Sequence, residues 1–323
     1  MSCRGEKHAS ALAKPIQSDI VVRMWSVRLS PSFFFRSWSG AWILPAAGLL
    51  LGGCAIRFPA ATAEFRHPDG RDGAAVLAAT LVAHGGDLRT RGGDIASALT
   101  GEWSALITRI QPLVTDHRWR VDAQERMLPA EGLHAIRWSG PAGEKFVVRS
   151  PSAIRVFYDG VESFDEDVLA SSAMTSDAFQ LFLCGPSFIA WRASRLKRLA
   201  DVQEDGRTLH RVLAVIEPGF GRSPRDEVVL FVDAGDHRLR RVWFTLEGFR
   251  TTRGATADLT FLRYRQVGGV LLPVAFDERV RAPLSIHAHA WRTIGLDLDR
   301  GLTAADVTGV QWSEKAARPA ALE

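Results

Sequence analysis

Cysteine is nearly absent from this chain of 323 residues, which has three, at positions 3, 54 and 184. Three cysteines so spaced build no disulfide framework. Cys184, left without a partner, reads as a small buried apolar residue. Long apolar runs are lacking too. The uncharged stretch 41–51 has eleven residues, against the ~20 that a bilayer core demands, so it is no spanning helix. A charge surplus is missing where it would matter. Six of the 40 basic residues and two of the 36 acidic ones lie at or before Cys54, leaving 34 of each beyond it. The formal net charge of +4 therefore belongs to the N-terminal segment, and the electrostatic case for nucleic acid goes with it. No Gly-x-Ser-x-Gly elbow, His-Glu-x-x-His, Walker loop or Gly-x-Gly-x-x-Gly occurs, which removes support for the common nucleophilic, metallopeptidase and nucleotide sites. No solenoid or propeller period and no βαβ alternation are present.

What is present begins with Leu51-Gly52-Gly53-Cys54 at the end of that apolar run. Arg28 and Arg36 supply a positive n-region, and two small residues precede the cysteine. The segment resembles a bacterial lipobox, which implies cleavage before Cys54 and lipidation of its thiol. Several acyl chains on one cysteine hold a protein stably, where a single chain is marginal. Residues 1–23 lack signal-peptide proportions, and Met24 reads as the start. The expected organisation is a signal peptide over 1–53, a lipidated cysteine and Pro/Gly-containing tether over 54–73, one domain over 74–312 and a tail over 313–323.

Within the domain, residues 74–83 form a helix stopped by Gly85-Gly86. Short aromatic and β-branched segments then alternate with period two at 103–110, 114–121, 133–138, 145–149 and 154–158. Residues 165–193 are helical with a break at Cys184-Gly185-Pro186. Hairpin strands follow at 200–204 with 208–217, 227–232 with 239–247, and 257–266 with 270–280, and a last long strand covers 285–298. Asp205-Gly206 is the firmest turn signal among them. The fold class is mainly β with helices (α+β): a curved antiparallel sheet, or incomplete barrel, with the helices from 74 and 165 on its concave face.

This order, and in particular the segment Asp258-Leu-Thr-Phe-Leu-Arg-Tyr-Arg-Gln-Val-Gly-Gly-Val-Leu-Leu-Pro273, resembles the LolA/LolB-type lipoprotein-carrier superfamily, which includes the mycobacterial LppX and LprG lipid carriers. The likeness runs over roughly 74–309 and lies in order and texture more than in signature residues. It implies a half-barrel whose apolar cavity takes acyl chains.

Trp103, Trp119, Trp138, Trp243, Phe261 and Trp291 are the candidate cavity residues, since aromatic rings line apolar sites well, although each could equally fill an ordinary core. His287 and His289 share a strand face if the strand is regular, and Asp277 or Glu278 could complete a metal site there; two histidines alone do not make one. The functional expectation is a non-enzymatic lipoprotein without a cofactor, held in the envelope by its lipid and facing the periplasm from the outer membrane. Its partner would be a lipid or an acylated protein, not nucleic acid. A scaffold lipoprotein with no ligand is the alternative, and a metal-dependent or hydrolytic enzyme using the histidine pair is a third.

Overall fold

The computed structural model describes Phe58 and residues 73–282, 285–312 and 316–320. Cys54, the lipobox and most of the tether lie outside the described residues.

Helix α1 (Gly73–Ala83) and the single turn α2 (Leu88–Arg91) precede strand β1 (Ile95–Trp103). Two short helices, α3 (Ala105–Ile110) and α4 (Pro112–Thr115), lead to β2 (Asp122–Leu128). The meander continues through β3 (Leu133–Gly140), β4 (Gly143–Arg149), β5 (Ile154–Tyr158) and β6 (Val161–Ser163). Helices α5 (Glu166–Cys184) and α6 (Pro186–Arg192) intervene before β7 (Ala193–Glu204), β8 (Arg207–Ile216), β9 (Asp226–Asp233), β10 (Leu239–Thr245), β11 (Thr256–Val267), β12 (Val270–Ala282) and β13 (Ile286–Leu298). A short α7 (Ala304–Thr308) follows.

All thirteen strands form one sheet in the order β6-β5-β4-β3-β2-β1-β13-β12-β11-β10-β9-β8-β7. Every neighbour in it follows in sequence except β1 and β13, which pair antiparallel. The chain therefore builds one half outward from the middle, crosses from edge β6 to edge β7 through α5 and α6, and builds the other half inward. A sheet that is open at both ends has its two edges joined only by this helical crossing. The main apolar cluster lies between sheet and helices, with Val76 and Leu77 of α1, Phe179 and Phe182 of α5, and Phe188 of α6 packed on Leu230, Phe244, Phe276 and Trp291.

The expected strands at 103–110 and 114–121 are helices and turns instead. Ser104 caps α3 by accepting from the Ile107 N–H, and Pro112 occupies the first turn of α4. These local hydrogen-bonding and φ preferences override the period-two pattern. Strand β1 begins eight residues earlier than expected, at Ile95, and β2 at Asp122 was masked by its four charged or amide side chains (Asp122, Gln124, Glu125, Arg126). The Asp205-Gly206 turn holds as expected, with φ of 48° and 74°, the double left-handed pair of a type I′ hairpin. Part of the expected tail is bonded to the sheet, where Pro319 bridges Gly295. Among the described residues no helix is long and apolar enough to cross a membrane.

Candidate functional site

On the concave face, Trp138, Lys145 and Tyr158 stand in one row, because Trp138 is opposite Lys145 on β3 and β4, and Lys145 is opposite Tyr158 on β4 and β5. Asp116, in the left-handed conformation that ends α4, reaches into this row. One of its oxygens, Oδ2, accepts from Lys145 Nζ and from Tyr158 Oη, each at 2.7 Å. Arg120, in the turn before β2, lies over the rings of Trp138 at 4.4 Å, Trp103 at 4.9 Å and Phe179 at 5.3 Å. Its Nη1 donates to Val114 O at 2.7 Å. Both cations are buried, at 2% exposure for Arg120 and 3% for Lys145. Desolvation lowers Lys145 to about 8 and Arg120 to about 10, opposed in each case by Asp116. A cavity of about 10 Å³ is lined by these two residues with Ile136, Trp138, Val147, Ser172, Thr175, Ser176 and Phe179.

Deeper along α5, Ser176 Oγ meets His134 Nδ1 at 2.9 Å, His134 Nε2 meets Glu125 at 3.3 Å, and Ser97 Oγ donates to the same carboxylate at 2.5 Å. Hydroxyl, imidazole and carboxylate follow in the order of a nucleophilic triad. Ser176, His134 and Glu125 are 3%, 0% and 2% exposed. Their arrangement ties helix to sheet. A second tie is Asp177, fully buried, which accepts from Arg149 Nε and Nη2 at 3.1 Å, Arg192 Nη2 at 3.0 Å and the Gly221 N–H at 2.7 Å. Burial alone would raise its carboxyl, but the two guanidiniums, Arg192 foremost, hold it below the usual range.

Five of the six expected aromatic residues border the concave side. Trp138 packs edge-on to Phe179 and to Trp291, each at 5.1 Å, and Trp291 to Trp103 at 5.9 Å. Gly101 opposite Trp291 gives the indole its room, since a Cβ there would stand 2.5 Å from the ring. Phe261 joins the same cluster, and Trp119, in a turn and not a strand, meets Tyr158 at 4.8 Å on the rim.

Trp243 is the exception and corrects the expectation that it shares this interior. Val242 and Phe244 point inward, so alternation sends Trp243 to the opposite face. There it packs with Leu199, Leu209, Leu213, Val229, Phe231 and, at 5.0 Å, Phe58. Strand β10 is apolar on both faces, and that leaves its register unreadable from sequence.

The histidine pair is corrected as well. His289 is opposite Glu278 while His287 is opposite Arg279, so β13 carries one extra residue, Ala288, between them. His289 turns inward among Trp103, Phe179 and Phe276 and faces Glu278 at 3.4 Å. His287, half-exposed, bonds Asp277 at 2.7 Å. The two imidazoles do not converge. No metal-holding cluster of His, Cys, Asp or Glu occurs among the described residues.

The residues that sequence reasoning missed are Arg120, Lys145, Ser172 and Asp177. One signal was available. Lys145 is one of five lysines against 35 arginines, and it sits in a strand whose next residues are Phe146, Val147 and Val148.

No protein-family profile matches the chain, and no curated protein matches it. Solved structures with a similar fold include a LolA superfamily protein of Nitrosomonas europaea, at 10% identity over 74% of this chain and 98% of that one, TM-score 0.48. A DUF1329 family protein of Desulfovibrio piger matches at 14% identity over 74% and 98%, TM-score 0.39. The lipoprotein LppX of Mycobacterium tuberculosis matches at 11% over 71% and 98%, TM-score 0.26. At such identities the likeness is one of fold outline and places none of the residues above.

Proposed function

We propose that the protein is an envelope lipoprotein, anchored through Cys54 and facing the periplasm, whose half-barrel takes an acyl chain or another long apolar ligand between α5 and the sheet. The observation that carries this is the open sheet with α5 seated in its concavity. The helix spans both halves of an apolar interior rich in aromatic rings, and the sheet is not closed around it. Concave apolar surfaces with a few convergent polar groups are the common form of small-molecule sites. Because the cavity is only about 10 Å³, the bound chain replaces contacts that α5 makes, and uptake requires the helix to shift.

That small volume also favours the second reading, a scaffold lipoprotein with a packed core. Native mass spectrometry of the chain beginning at Ala74, purified without detergent, separates the two. Lipid of stoichiometric amount is the expected result. Ligand-free protein that also takes up no added fatty acid would establish the scaffold.

A further inference from the structure

The interior cavity is bordered by charged groups whose hydrogen bonds are incompletely made. Arg120 and Lys145 bring two cations into a desolvated site, faced by Asp116, which bonds Lys145, and by Glu278, whose charge also acts on Arg120. Arg120 Nε and Ser172 Oγ, both on residues 2% exposed, have no hydrogen-bond partner among the described residues. Unsatisfied polar groups in a low-dielectric interior are costly, and both of these border the same cavity. Apart from Thr175 and Ser176, the rest of the lining is apolar: Ile136, Trp138, Val147 and Phe179.

We propose that Arg120, Lys145 and Ser172 seat the carboxylate of an acyl ligand whose chain leaves along the rings of Trp138 and Phe179. The Arg120 Nε–H and the Ser172 hydroxyl are two unpaired donors at one cavity, a pair that the two oxygens of a carboxylate can accept from. A space of about 10 Å³ admits one oxygen-sized atom, so the rest of the carboxylate enters only with the shift of α5. The guanidinium, already stacked on three rings, keeps N–H groups directed for charge-assisted bonds. This assignment rests on the acyl-binding reading and narrows it to free fatty acids and similar carboxylates, excluding their neutral esters and alcohols.

The test uses the full-length protein in phosphatidylcholine nanodiscs, irradiated with a diazirine-bearing palmitic acid or with the corresponding alcohol, and peptide-mapped. The acid is expected to label the interior about tenfold more than the alcohol. Lys145→Met should cut labelling by the acid about tenfold and leave the alcohol unchanged, and Ser172→Ala should cut it a few-fold. Equal interior labelling by acid and alcohol overturns the carboxylate seat while leaving acyl binding intact. No interior labelling by either overturns both. Should Lys145→Met fail to fold, the wild-type comparison and Ser172→Ala still decide.

Discussion

Helix α5 rests on two walls of different chemistry. Toward β10, β12 and β13 its contacts are aromatic: Phe182 with Phe276 at 5.1 Å and Phe244 at 6.2 Å, and Phe179 with Trp291 at 5.8 Å. Toward β2, β3 and β4 apolar contact, such as Phe179 with Trp138 at 5.1 Å, is joined by polar ties, from Ser176 to His134 and Asp177 to Arg149. Apolar contact is non-directional and scales with area, so the first wall stabilises the helix without fixing its rotation or height. Hydrogen bonds are angular and cost much when left unmade, so the second wall sets its position. A helix that must shift to admit a ligand can exchange polar contacts for water at one wall while sliding on the other.

The largest expected break in this contrast is at Asp177. Asp177→Ala strands one buried and one half-buried guanidinium and should cost about 3–5 kcal/mol, read as a fall in urea midpoint at unchanged m-value. Phe182→Ala on the apolar wall should cost about the same for a different reason, a cavity. The two separate on rescue. Replacing Asp177, Arg149 and Arg192 together by apolar residues of similar size should recover most of the loss, because a buried ionic cluster exchanged whole for well-packed apolar side chains is close to neutral. A triple variant as unstable as Asp177→Ala would show that the polar wall contributes more than position.

A polar tie also exists on the β10 and β12 side, and it predicts acid sensitivity. His84 Nε2 accepts from the Leu239 N–H and Nδ1 donates to Leu271 O, each at 3.1 Å, so only the neutral ring satisfies both. Burial, the dominant cause, lowers its pKa from 6.5 to about 4. The unfolded chain then binds the proton near pH 6.5 and the folded one only near 4, so stability falls as pH drops through that window. The loss is on the order of 3 kcal/mol by pH 4. His84→Gln, lacking a titrating ring, should flatten that part of the stability curve, and an unchanged slope would move the acid sensitivity elsewhere.

Much of the apolar wall was legible in sequence, and little of the polar one. Trp138, Phe261 and Trp291 announce burial by size alone, and hairpins such as that at Asp205-Gly206 are written in residue pairs whose φ values demand them. Glu125, Arg126 and Arg149 carry no burial signal of their own, because burial of a charge depends on partners far away in sequence, Asp177 for Arg149 across 28 positions. Trp243 and the histidine pair failed for a geometric reason. A strand apolar on both faces hides its register, and one inserted residue at Ala288 reverses a face without any composition signal.

The smallest expected effect is the sharpest probe of the polar wall, because it compares one side chain with itself one turn apart. Ser172 and Ser176 are both buried on α5 and face the same half of the sheet, but Ser176 Oγ has His134 as partner and Ser172 Oγ has none among the described residues. Alanine gains helix propensity of roughly 0.5 kcal/mol at either position. At 176 that gain is outweighed by the unsatisfied imidazole nitrogen, worth about 1–3 kcal/mol, so Ser176→Ala should lose about 1–2 kcal/mol net. At 172 nothing is left unpaired and a lone buried hydroxyl is removed, so Ser172→Ala should be neutral or more stable by about 0.5–1 kcal/mol. Urea midpoints of the two variants in ligand-free protein should therefore lie on opposite sides of wild type. If both fall together, Ser172 has a structural partner in solution, and the wall that positions α5 extends one turn further toward Lys145 than its bonding shows.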